Sequence, residues 1–149
     1  MTEPSPISPE PVVIDTMLAG ALFTRRDHPL VARYRAHLLG RPLVLSFATV
    51  AELRYGAYKS SWGEAKVERL TERISQTTVV MPDDEVVETC AQLRVQCHQR
   101  GHALHDKIHD ADRWIASTAI RFGLALVSDD SIFVNAPGLI LRREDAVVR

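Results

Sequence analysis

Val12-Val13-Ile14-Asp15-Thr16 is an unbroken apolar run that ends in Asp-Thr. Apolar residues without alternation fit a short strand covered on both faces, as in a parallel sheet. The Asp-Thr then marks the point where the strand feeds a helix. Working outward, the same arrangement recurs. Leu18–Thr24 and Pro29–Leu39 read as helices, with Pro29 at a helix start and Gly40 as the stop. Pro42–Ser46 reads as a second strand, and Ser46 can cap a helix over Phe47–Lys59. A charged helix covers about Gly63–Ser75, and Thr77–Met81 is a third strand. Asp83 or Asp84 caps a helix running to about Arg100. After Gly101 comes an irregular, histidine-rich stretch, then a helix over Ala111–Phe122 closed by Gly123. Ala125–Ser128 is a fourth strand and Leu139–Leu141 a possible fifth. Strands that alternate with helices predict an α/β fold, a mostly parallel sheet of four or five strands covered on both sides. Ligands of such sheets gather at the carboxyl ends of the strands.

The 149 residues suit one domain. Residues 1–11, with four prolines, read as a disordered leader, and 12–149 as the domain. An apolar fraction of 46% and a charged fraction of 25% are those of an ordinary soluble protein. No apolar run is long enough to span a membrane, and no secretory signal is visible. Cys90 and Cys97 lie about 10 Å apart along a helix, too far for a disulfide, so reduced thiols in a cytoplasmic protein are expected. The net charge of −1 excludes little. Setting aside four unusual acids, the remainder is mildly basic and would suit a polyanion.

Those acids are Asp15, Glu52, Asp112 and Asp130. Each adjoins an apolar segment, where an uncompensated carboxylate costs several kcal/mol. Asp15 and Asp130 follow the first and fourth strands. At about 100° per residue, Ile115, Ala116, Ala119 and Gly123 project near Asp112, which places it on an inward face. Asp110 projects instead with Arg113, Ser117 and Arg121, read as a solvated face. Glu52 shares its face with Ala48, Thr49, Tyr55 and Gly56, mostly small residues that leave room for a buried carboxylate. Structural readings also exist: Asp15 and Asp130 as helix or turn caps, Glu52 as a half-exposed helix residue. Four such acids together point to a divalent metal site. Hard oxygen donors without Cys or paired His favour Mg²⁺ or Mn²⁺ over zinc. The chemistry expected of such a site is phosphodiester hydrolysis.

Four segments carry a family resemblance: Val13-Ile14-Asp15-Thr16, Thr49 to Gly56, Asp112 to Ala119, and Leu126 to Phe133. In order and spacing they resemble the four acidic motifs of PIN-domain ribonucleases, and within these the VapC toxins of toxin–antitoxin systems. The resemblance covers nearly everything after the leader. It implies a PIN-like α/β/α sandwich and a Mg²⁺- or Mn²⁺-dependent endoribonuclease held in check by a cognate antitoxin protein. It also implies a homodimer, with RNA as substrate. Asp15 and Asp112 would be the direct ligands. Glu52 and Asp130 would act partly through water, and Thr16 and Ser128 would support the cluster. Met17 stands where family members often carry Asn. Asp130 is chosen over Asp129 because the family spacing Asp-x-x-Phe runs from Asp130 to Phe133.

His98, His102, His105 and His109 would share one face of an unbroken helix, but Gly101 interrupts it and no acid or Cys completes a zinc site. Lys107 and Arg113, with Arg25, Arg26, Arg54 and Lys59, are candidates to reach substrate phosphates. The packing of Trp62 stays open. A phosphatase with a nucleophilic aspartate would want a second acid at position 17, where Met17 stands. A PIN nuclease of RNA maturation and a non-catalytic protein-binding module are the remaining alternatives.

Overall fold

The computed structural model describes residues 9–25 and 27–144. Most of the expected leader and Arg26 lie outside these residues. Five strands, β1 (Val12–Ile14), β2 (Leu43–Ser46), β3 (Thr78–Val80), β4 (Leu126–Val127) and β5 (Leu141–Arg142), form one sheet in the order β3-β2-β1-β4-β5. Every pairing is parallel. β1 is central, with Val13 opposite Val44 on one side and Leu126 on the other. The connections run outward in one direction from β1 to β3 and then jump back to β4. The switch point of this α/β sheet therefore falls between β1 and β4, where such sheets open a crevice at their carboxyl ends.

Alternation along the short strands divides the core. Val13, Val44 and Leu126 point to one face, against Leu93 and Cys97 of α5 (Asp84–Arg100) and Ile115 and Ala119 of α6 (Asp110–Phe122). Val12, Ile14, Leu45 and Val127 point to the other, against Leu18 of α1 (Thr16–Thr24) and Leu30, Val31 and Tyr34 of α2 (Pro29–Leu38). Both faces are covered, which is why these strands read as solid apolar runs. A smaller cluster joins Ala57 of α3 (Phe47–Lys59) to Leu70 and Ile74 of α4 (Glu64–Ser75), with half-buried Trp62 beside them.

The helix boundaries have local causes. The Ser46 hydroxyl accepts from Ala48 N, and Asp83 accepts from Val86 N, each satisfying an orphan amide of a first turn. His28 caps α2 ahead of Pro29. Gly101 and Gly123 close α5 and α6 at φ of 67° and 64°, left-handed values that cost a residue with a side chain about 1–2 kcal/mol.

Two expectations shift. β5 lies at Leu141–Arg142 rather than Leu139–Leu141, because Leu139 packs against the core and the turn before it, with Asn135 and Gly138 at positive φ, delays pairing. The face of α6 expected to be solvated is not so throughout: Arg113 and Ser117 are buried, and only Asp110 lies open. α5 and the loop over residues 101–109 cover that side. Cys90 and Cys97 are free thiols, as expected.

Candidate active site

The backbone brings β1 and β4 side by side, and their carboxyl ends assemble the site. Asp15 is buried, 6% exposed. Its Oδ1 accepts from Leu18 N at 2.9 Å, which caps α1, and its Oδ2 accepts from the Ser128 hydroxyl at 2.5 Å. The cap and the cluster therefore use the same side chain, one oxygen each. Ser128 Oγ also accepts from Asp130 N at 3.0 Å, so one buried hydroxyl links the first acid to the loop bearing the last. Asp130 is exposed, and its Oδ1 caps the turn at Ile132 N.

Asp112 is half-buried in the first turn of α6, where the helix dipole favours negative charge. Its Oδ2 lies 3.1 Å from Nδ1 of His109. Glu52 is exposed on α3, not buried as its mostly small neighbours suggested, since among the described residues no element closes over that stretch of the helix. Its carboxyl end nevertheless borders the groove between α1 and α3, together with Thr16. Thr16 itself bonds Thr49 at 3.2 Å, tying α1 to α3 instead of touching a carboxylate.

The acids feel one another. Burial pushes the Asp15 carboxyl up; Ser128 and Leu18 pull it back, while the charges of Asp130 and Asp112 raise it further. Burial also raises Asp112, offset by the hydrogen bond from His109 and reinforced by Asp130. Glu52 is raised by the protein around its carboxyl end, then by Asp112 and Asp15. Asp15 and Asp112 thus each couple to all three other acids. Among the described residues, no three His, Cys, Asp or Glu side chains converge tightly enough to enclose a metal ion by themselves. An all-oxygen set of this looseness suits a hard cation that keeps several waters, and not a closed zinc site.

Asp129 is separated from this group. It accepts from the Tyr34 hydroxyl at 2.7 Å and pairs with Arg33 at 3.2 Å. Arg113, a candidate for phosphate contacts, turns inward at 3% exposure. Its Nη1 donates to the carbonyls of Leu104 and Asp106, and its Nη2 pairs with Asp110. Packing against α5 and the histidine loop leaves it no path to the crevice. Lys107 is exposed in the turn before α6. Of the histidines, His102 caps Leu104 and contacts the Val134 carbonyl, and His98 stacks edge-on with His105. Among the four histidines of residues 98–109, within the described residues, only His109 reaches an acid, a contact whose signal in the sequence was its position three residues before Asp112.

The PIN domain family matches residues 12–139. Ribonuclease VapC4 of Mycobacterium tuberculosis is 33% identical over 94 residues, covering 62% of this chain and 70% of that protein. Among solved structures, VapBC2 from Rickettsia felis, bound to a DNA fragment from its promoter, superposes with a TM-score of 0.73 at 23% identity, covering 91% of this chain and 99% of that one. FitAcB from Neisseria gonorrhoeae superposes with a TM-score of 0.66 at 25% identity, covering 87% and 95%. The chain belongs to the PIN-domain family and is a relative of the VapC ribonucleases.

Proposed function

We propose that this protein is a Mg²⁺- or Mn²⁺-dependent endoribonuclease, the toxin of a toxin–antitoxin pair, acting at Asp15, Glu52, Asp112 and Asp130. What supports the reading is the position of Asp15 and Asp130 just after β1 and β4, at the switch point, with Asp112 and Glu52 near enough for their charges to couple with Asp15, while burial raises Asp15 and Asp112. Such a group is stabilised by a bound cation. A PIN-domain relative named a ribonuclease, and structural neighbours that are toxin–antitoxin complexes, support it.

Asp15, fixed by Leu18 N and Ser128, and Asp112, steadied by His109, are the residues that would hold the cation. When bound, the ion would lower the pKa of a water and offset charge developing on the phosphate. Glu52 and Asp130, open to solvent, are suited to orient that water and accept its proton. Thr16 acts at one remove by holding α1 against α3. Lys107, exposed beside His109, is the remaining candidate for a phosphate contact. Arg113, buried and paired with Asp110, cannot make that contact.

RNA cleavage by wild type, Asp15→Asn and Asp112→Asn in Mg²⁺, Mn²⁺ or EDTA tests the reading. Cleavage is expected to vanish in EDTA and to fall about 10²-fold or more in each variant, the scale of losing one electrostatic stabiliser. Full activity in either variant, or cleavage in EDTA, refutes it. The antitoxin is expected to be a small protein encoded beside this chain, whose co-expression relieves growth arrest.

A further inference from the structure

The groove between α1 and α3 starts at Thr16 and Glu52 and runs past Gly20 and Gly56 to Trp62. There it opens into a cleft of about 480 Å³ between α1 and α4, walled by Phe23, Trp62, Lys66, Arg69 and Arg73. Thr24, Trp62 and Leu70 border both, so the path is continuous. On α4, Lys66, Arg69 and Arg73 fall within about 60° of one another, and Glu64, Glu68 and Glu72 within about 80° on a separate stripe. Leu70 and Ile74 form the buried third face. The helix is therefore sorted into acidic, basic and apolar faces, with the basic one on the cleft.

Among the described residues, no carboxylate pairs with Lys66, Arg69 or Arg73. Lys66 Nζ lies 4.0 Å from the centroid of the Trp62 ring, and the Arg73 guanidinium 5.7 Å from that of Phe23. Among the described residues, Glu72 is the one acid at the cleft's border. Gathered cations without counter-charge repel one another and attract an anion. Guanidinium planes and aromatic rings are also the surfaces on which single-stranded bases stack.

We propose that this cleft binds two phosphates and a base of single-stranded RNA several nucleotides from the scissile bond, an assignment that rests on the nuclease reading above. Thr16 to Thr24 covers about 12 Å of helix, or roughly three nucleotides at about 3.4 Å each along a stacked strand. A strand in this groove meets cations at one end and carboxylates at the other. That polarity requires a polyanion only at the α4 end, and a cation-compensated phosphate at the acids.

The test is anisotropy of labelled single-stranded RNA, two and ten nucleotides long, in the absence of divalent ions. The full chain is compared with Lys66→Gln/Arg69→Gln and with Arg94→Gln/Arg100→Gln, which removes the same charge on α5, away from the cleft; thermal melts verify folding. For the decamer, the α4 pair is expected to weaken binding at least tenfold and to lower the salt slope by about 1.4, or 0.7 for each lost phosphate contact. The control pair and the dinucleotide should show much smaller changes. Equal weakening by both pairs, or no dependence on length, overturns the assignment. So does an acidic peptide that binds in an α4-dependent way while RNA does not. RNA cleavage that persists without α4 dependence condemns the cleft alone. α4-dependent RNA binding without any cleavage condemns the hydrolytic reading and leaves the cleft standing.

Discussion

Asp15 is at once the N-cap of α1 and the most buried of the four acids, and its two oxygens divide the work. Replacing Ser128 by Ala strips Oδ2 of its buried donor and Asp130 N of its acceptor. A loss of about 1–3 kcal/mol in denaturant unfolding is expected, the cost of a buried polar group left unpaired. Asp15 was legible in sequence because it directly follows a strand whose apolar run is unambiguous, whereas the part of Ser128 came only from the family resemblance. Glu52 was less legible than Asp15: small neighbours on one helical face reveal free space but not whether another element fills it. Its exposure follows from the absence of such an element, a fact no helical projection of α3 contains.

At the scale of elements, Arg113 shows the same boundary. Projection grouped it with Asp110 on a polar face. In the fold it braces the 101–109 loop through the carbonyls of Leu104 and Asp106. Arg113→Leu is expected to cost at least about 2 kcal/mol, by leaving these carbonyls unpaired. Amide hydrogen exchange should then quicken across residues 102–109, while the β1 amides stay protected. Unchanged loop exchange would contradict this role. α3 was read to the residue because a Ser cap precedes it and Lys59 ends it. The loop was not, since its turns depend on contacts such as His102 to Val134, 32 residues away.

Across the whole molecule, the acids set a dependence of stability on pH. Unfolded, they titrate at ordinary values, 3.8 for Asp and 4.5 for Glu; folded, Asp15, Asp112 and Glu52 titrate higher. Between the two, the folded protein binds more protons, so these groups make stability fall as pH rises, and it stays lowered at neutral pH. In calorimetry without divalent ions, Asp112→Asn is expected to melt above wild type at pH 7, with the gap closing as pH drops through this window. Adding Mn²⁺ should raise the wild-type Tm more than that of the variant. A gap that is constant with pH would count against the coupled cluster.

The order of the sheet also has a consequence in time. β1 leaves the ribosome well before its hydrogen-bonded neighbour β4 is made, and Asp15 and its Ser128 donor are 113 positions apart. Until β4 is made, the central strand waits with one edge bare, and its acid lacks its hydroxyl partner. A nascent chain therefore carries an unfinished site until β4 emerges, and truncation before Ser128 leaves a product with the first acid but without the neighbour that completes it.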